Sequence, residues 1–212
     1  MLIDFLEIGG LFFLFGLSHT ILAGNKFKKT ITEKRGNQIA FYRLFFNVSS
    51  VIIALALLGI APKPHYVLYD LQFPFDIIIF AVQVLSLILL IWATKYIDVG
   101  EFIGTSQIKR YFNGTYNVKN LDEDKTLIIK GPFKYVRHPI YFGSIVFLGA
   151  RPTMDLFYFS LFFYSVIYFY IGSIFEERKL VEEFGEKYRK YQKTVPRLFP
   201  YKFWNIKRQR FE

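Results

Sequence analysis

The chain has 212 residues, 53% hydrophobic and 20% aromatic, with a formal net charge of +10 and no cysteine. The lack of cysteine excludes disulfides, a thiolate nucleophile and any Cys-based metal site. His19, His65 and His138 lie far apart with no pair at ligand spacing, so neither zinc nor haem, and no metal, is expected.

The apolar residues are gathered into runs nearly free of charge, at 12–23, 48–61, 75–93 and 156–175. Runs of roughly 20 residues are long enough to cross a bilayer as helices. The expected fold is therefore an all-α integral membrane protein with about five transmembrane helices. The first helix runs from about Ile3 to Ala23. Asp4 and Glu7 precede its apolar part and no basic stretch does, which does not suit a cleavable signal peptide. A basic loop follows, with Lys26, Lys28, Lys29, Lys34 and Arg35.

Helix two covers about Ile39–Ile60 and stops at Pro62-Lys63-Pro64. Helix three begins near Pro74, a favourable first-turn residue, and reaches Lys95 or beyond. From Tyr96 to Arg137 the chain is polar and turn-rich, with Asn113-Gly114 and Asp122-Glu123-Asp124. Loops of this length are usually functional or disordered.

Pro139 opens a fourth apolar helix that ends at Arg151-Pro152, shorter than the roughly 30 Å hydrocarbon core. It either spans a thinned region or forms the shorter arm of a helical hairpin with helix five, Leu156–Phe175. The helical pattern then continues as an amphipathic cytoplasmic helix up to Pro196, with Leu180, Val181, Phe184 and Tyr188 on one face.

Charge placement decides what the basic excess is for. Of the 27 Lys and Arg, all but Lys63 and Arg151 fall in segments 24–43, 95–137 and 178–212. This is the positive-inside pattern, and anionic lipid at the cytoplasmic leaflet suffices to explain it without nucleic acid. It places the N-terminus outside and the C-terminus in the cytoplasm.

Several polar clusters then gather on that side. Arg137-His138-Pro139 sets a guanidinium and an imidazole at a helix N-terminus, a position suited to an anion. A snorkelling boundary Arg beside an interfacial His is the alternative. Glu176 and Glu177 follow the last apolar run. Adjacent helix positions point about 100° apart, so one can face inward and the other outward.

A hairpin of helices four and five would return these carboxylates to the Arg137-His138 end of the membrane. Spacing does not decide whether they pair directly or hold a ligand between them. Such a ligand would be zwitterionic, with a carboxylate for Arg and His and an ammonium for Glu, and S-adenosylmethionine is of that kind. Ser18-His19 lies within the first helix, where a histidine is a functional candidate or is hydrogen-bonded to a neighbouring helix. Tyr42-Arg43 and Asn47 open helix two, while Asp98, Glu101 and Gln107 follow helix three.

The pieces Gly131-Pro132-Phe133, Tyr135-Val136-Arg137-His138-Pro139-Ile140-Tyr141-Phe142-Gly143, Glu176-Glu177-Arg178-Lys179-Leu180 and Phe184-Gly185-Glu186-Lys187-Tyr188 resemble a known superfamily. It is that of the isoprenylcysteine carboxyl methyltransferases and phospholipid methyltransferases. Ser18-His19, Tyr42-Arg43 with Asn47, Asp98-x-x-Glu101-Phe102-x-Gly104-x-x-Gln107 and Pro152-Thr153-Met154 are similar to its branch holding nurim and the bacterial methanethiol S-methyltransferases.

The resemblance implies an S-adenosylmethionine-dependent membrane methyltransferase, acting on a small thiol such as methanethiol to give dimethyl sulfide. An isoprenylcysteine or a lipid is the alternative acceptor. It further implies that Arg137 and His138 meet the carboxylate of S-adenosylmethionine, Glu176 or Glu177 its ammonium, and Tyr135 and Tyr141 its methionyl or adenine part. Residues 1–97 would shape the acceptor pocket, with Tyr42, Arg43 and Asn47 as candidates joined by Gln107 from beyond them, and residues 98–212 would bind the cofactor. Direct displacement of methyl from sulfonium calls for a base at the acceptor, for which His19 is the first candidate and Asp98 and Glu101 the next.

Membrane sterol reductases share the Arg-His-Pro and the later Phe-Gly-x-x-Tyr. That resemblance would call for Asn and Glu where this chain has Ile140 and Ser144, which favours methyl transfer over NADPH chemistry. A non-catalytic nurim-like membrane protein is the third reading.

Overall fold

The computed structural model of the chain describes residues 1–118 and 126–201. The expected turn at Asp122-Glu123-Asp124 and the last eleven residues of the expected cofactor-binding region lie outside the described residues.

Helix α1 (Leu2–Ala23) is apolar apart from Asp4 and Glu7 near its start and Ser18-His19-Thr20 near its end, and its 22 residues reach about 33 Å at 1.5 Å per residue. The basic stretch expected as a loop is helical instead: α2 runs over Asn25–Arg35. Its lysines are good helix formers, and glycines stand at both ends. A 3-10 turn (Gly36–Phe41) leads into α3 (Tyr42–Ile60).

After a short strand β1 (Val67–Asp70) comes α4 (Phe75–Thr94). The segment after α4, also expected as loop, begins with two short helices, α5 (Val99–Ile103) and α6 (Thr105–Phe112). A 3-10 turn (Gly131–Lys134) precedes α7 (Pro139–Gly149), and strand β2 (Thr153–Asp155) leads into α8 (Leu156–Phe184). Helix α9 (Glu186–Thr194) ends the described helices. The continuous amphipathic helix expected up to Pro196 is broken at Gly185, whose φ of 55° lies in the left-handed region that glycine enters at little cost.

Among the described residues, four helical stretches are long and apolar enough to cross a membrane: α1, Lys26–Ile60 with α3 as its apolar part, α4, and α8. The chain is a multi-pass integral membrane protein. Helix α7 has only 11 residues, about 16 Å. Helix α8, at 29 residues, is longer than a bilayer core requires, so Glu176 and Glu177 fall about 30 Å from its start, at the far boundary.

The chain forms two compact units. One joins Leu2–Lys63 to Ile97–Thr126. In it α1 packs on α3, and α5 on α3. The other joins Pro64–Tyr96 to the residues from Leu127 onward. Here α7 packs against both α4 and α8, and β1 pairs antiparallel with β2. Its hydrophobic core at the α9 end consists of Tyr188, Tyr191 and Val195, covered by Leu127, Ile129, Leu180, Val181 and Phe184. The apolar stripe of the amphipathic segment is thus used within the chain.

Candidate functional site

In the second unit, α7 starts where α8 is leaving its apolar run, and the side chains at those two places meet. Glu177 is buried, with only 3% of its side chain exposed. Arg137 grips it with two donors, Nε to Oε1 at 2.7 Å and Nη2 to Oε2 at 3.1 Å. Such a two-pronged pair is the strongest form of carboxylate recognition. Three more groups converge on the same carboxylate: His138 Nε2 at 3.2 Å from Oε1, Gln192 Nε2 at 2.9 Å from Oε2, and Arg197 Nη2 at 3.2 Å from Oε2. Every nitrogen of Arg137 is engaged, because Nη1 also donates to the carbonyls of Gln192, at 2.9 Å, and Val195.

Backbone bonds explain the convergence. Arg137 N donates to Pro196 O at 2.9 Å and His138 N to Arg197 O at 3.1 Å, tying the start of α7 to the segment after α9.

Glu176, one position earlier, is 47% exposed. Its Oε2 accepts from the Tyr141 hydroxyl at 2.9 Å and lies 3.5 Å from His138 Nδ1. The sequence left open which glutamate faces inward. In the structure Glu177 is the buried anchor and Glu176 the accessible carboxylate. The rings of His138 and Tyr141 stack 5.2 Å apart, and Tyr141 stacks on Phe169 at 4.8 Å. Tyr135 is half-buried with its ring 6.4 Å from Trp92.

Burial alone would pull the His138 imidazole down. Its bonds to Glu176 and Glu177 and their charges outweigh this and hold it above its ordinary value. Burial pushes the Tyr188 and Tyr191 phenols up, and the Glu177 charge adds to this at Tyr188.

Gln192, Arg197 and Phe169 were not among the residues singled out from the sequence. The first two lie beyond the recognisable motif. The available signal was an Arg after Val195-Pro196, a charge set where the helix ends.

The first unit holds the remaining candidates. His19 Nδ1 is 3.2 Å from Ser50 Oγ, with its ring between Phe15 at 5.6 Å and Phe46 at 4.7 Å. The Tyr42 hydroxyl donates to Leu22 O. Arg43 Nε donates to Phe102 O at 3.1 Å, and Asn47 Nδ2 to Phe102 O at 2.9 Å and Ile103 O at 3.0 Å. Arg43 and Asn47 thereby satisfy carbonyls at the end of α5. Asp98 is the N-cap of α5, its Oδ1 accepting from Glu101 N at 2.9 Å.

Glu101 is buried and paired with both Arg110 terminal nitrogens, and it accepts Gln107 Nε2 at 3.0 Å. Gly104 allows this arrangement: its φ is 106°, and a Cβ there would meet Leu44 N at 2.6 Å. Asp98 and Glu101 thus carry structural bonds, whereas His19 sits beside a hydroxyl in an apolar helix pair.

The fold and these clusters define a multi-pass helical membrane protein with a buried Arg–His–Glu centre at one membrane boundary. Residues 87–184 match the isoprenylcysteine carboxyl methyltransferase (ICMT) family. The chain is 29% identical over 192 residues to methanethiol S-methyltransferase 1 of Bradyrhizobium diazoefficiens, covering 89% of this chain and 64% of that protein.

It is 47% identical over 68 residues to methanethiol S-methyltransferase of Pseudomonas deceptionensis, covering 32% and 26%. With protein-S-isoprenylcysteine O-methyltransferase of Schizosaccharomyces pombe it shares 30% over 114 residues, covering 51% and 48%. The chain thus spans less than two thirds of the length of each of these relatives. No solved structure matches it.

Proposed function

We propose that this chain is an integral membrane methyltransferase that uses S-adenosylmethionine to methylate a small thiol, with methanethiol as the first acceptor to test. The observation that carries the reading is the accessible Glu176 beside the buried Arg137–His138–Glu177 centre. Cationic and anionic groups stand side by side there, the charge pattern that a zwitterionic amino-acid end requires. The relatives' names support the reading, as does the family match over residues 87–184.

The residues present fit such a cofactor. Glu176 offers a carboxylate for the ammonium. His138 and the uncapped first turn of α7 offer donors for the carboxylate. Tyr141, with Tyr135, offers ring faces to the methionyl or adenine part. Arg137 acts through Glu177, holding the start of α7 and the end of α8 in register. When bound, S-adenosylmethionine supplies an electrophilic methyl group. The chain's own contribution is to orient the reactants and keep water from them, which is where most of the rate gain of such a displacement arises.

A thiol of ordinary pKa is mostly protonated at neutral pH. His19 takes that proton in this reading, positioned by Ser50. Tyr42, Arg43, Asn47 and Gln107 are assigned to the acceptor side. We further place the N-terminus outside and the C-terminus with the cofactor site in the cytoplasm, because Lys and Arg are concentrated in the segments between and after the spans. The fold in this reading has five spans, with α7 and α8 as a hairpin.

The test is to supply membranes containing the protein with S-adenosylmethionine and methanethiol and measure dimethyl sulfide in the headspace. Dimethyl sulfide above the level of empty membranes is expected. No product from the thiol, but methyl ester from a prenylcysteine, would move the acceptor to the alternative that the Schizosaccharomyces pombe relative represents.

A further inference from the structure

Arg197 is the cation of this centre whose bonding is unfinished. Among the described residues its side chain makes one hydrogen bond, from Nη2 to Glu177 Oε2 at 3.2 Å. Its guanidinium carbon lies 5.8 Å from the centre of the Tyr170 ring. Its Nε is buried and has no hydrogen-bond partner among the described residues. A buried N–H without an acceptor is costly enough that native structures rarely leave one unused.

Arg137 provides the contrast. It meets the same carboxylate with two donors, uses every nitrogen, and is 8% exposed, while Arg197 retains 30% exposure. Glu177 is therefore neutralised by Arg137 before Arg197 is counted. With His138 protonated, three cationic groups face the two carboxylates Glu176 and Glu177, which leaves a positive charge without its counterpart. The Arg197 backbone is held beside the centre, because its carbonyl accepts the His138 N–H at 3.1 Å.

We infer that Arg197 is an anion-binding residue of this site, its guanidinium receiving the amino-acid carboxylate of the methyl donor while Glu176 receives the ammonium. The inference rests on the methyl-donor reading above and adds to His138 and the first turn of α7 a carboxylate donor outside the recognisable motif, since Arg137 has no donor nitrogen unengaged. A guanidinium suits the task, since its fork can hold Glu177 with one nitrogen and present another to a second carboxylate.

The test uses two ligands that differ only in the carboxylate: S-adenosylmethionine and its decarboxylated form. Detergent-purified wild type, Arg197→Gln and Arg197→Lys are titrated with each in a calorimeter without acceptor, and thermal melting follows the fold. Wild type is expected to bind the carboxylated ligand at least about 10-fold more tightly than the decarboxylated one.

Arg197→Gln should lose that preference by weakening the carboxylated ligand alone. Arg197→Lys, which keeps a charge near Glu177 but lacks the fork, should lose part of it. An equal loss for both ligands in both variants would overturn the inference and make Arg197 a structural partner of Glu177. Unchanged affinities would overturn it as well. If wild type binds neither ligand, the methyl-donor reading itself falls and takes the inference with it.

Discussion

Each compact unit closes around a buried glutamate, and the two glutamates are served differently. Glu101 is matched by one guanidinium, Arg110, and by the Gln107 amide, with Asp98 capping the same short helix. Glu177 receives two guanidiniums, an imidazole and an amide, and an accessible second carboxylate stands beside it. The first arrangement is a charge answered by its counterpart, as in a structural joint. The second holds more cation than its buried carboxylate can use, and in the proposed reading that surplus at a membrane boundary serves a ligand.

The comparison breaks most easily at its buried end. Glu177→Ala should leave Arg137 buried without a counter-charge and destabilise the protein by about 3–5 kcal/mol. A large fall in melting temperature in detergent is expected, with loss of S-adenosylhomocysteine binding; near-normal melting would show that the centre does not hold α7 to α8.

Glu101→Ala should cost less, about 1–3 kcal/mol, because Arg110 is 37% exposed and can turn to water. Cofactor affinity should stay near normal. Loss of affinity without loss of stability would reverse the contrast between the two glutamates.

Glu176→Gln sharpens the comparison from the other side. Being half-exposed, it should leave melting almost unchanged and weaken S-adenosylhomocysteine binding about 10-fold, or roughly 1.4 kcal/mol. Asp98→Ala removes a helix cap and should lower stability by about 1 kcal/mol, read by denaturation.

The smallest effect is in pH. His138 meets Glu176, Glu177 and the Tyr141 ring, the two carboxylates being shared with Arg137 and Arg197, and its value is raised in the folded chain. Stability from its charged form is fully present below the ordinary imidazole value of about 6.5 and fades as pH rises through the raised value. His138→Gln should flatten that part of the melting-temperature profile.

The four long apolar helices were legible because length and hydropathy alone define them. Helices α2 and α6 were read as loop because their sequences are polar and α5 because it is five residues long with a glycine inside it, and nothing but packing shows that Phe102 and Ile103 deliver their carbonyls to Arg43 and Asn47. Asp98-x-x-Glu101 was legible as a charged pair, and its spacing was also that of a helix cap.

At the candidate site, Arg137, His138 and the glutamate pair were legible from their motif. Which glutamate turns inward was not, since a 100° step along a helix acquires meaning only from the neighbour it faces. Gln192 and Arg197 were invisible for a related reason: Arg197 reaches Glu177 through backbone pairing with residues 137–138 and Gln192 beside the Arg137 guanidinium that its carbonyl accepts, which no local pattern announces.

The central claim is that the centre around Glu177 and Glu176 holds S-adenosylmethionine. Calorimetric titration of detergent-purified protein with S-adenosylhomocysteine, with NADPH as the parallel ligand, tests it most directly. Micromolar binding of S-adenosylhomocysteine alone is expected. Binding of NADPH alone, or of neither, would contradict the account and return the cluster to a reductase site or to a purely structural joint.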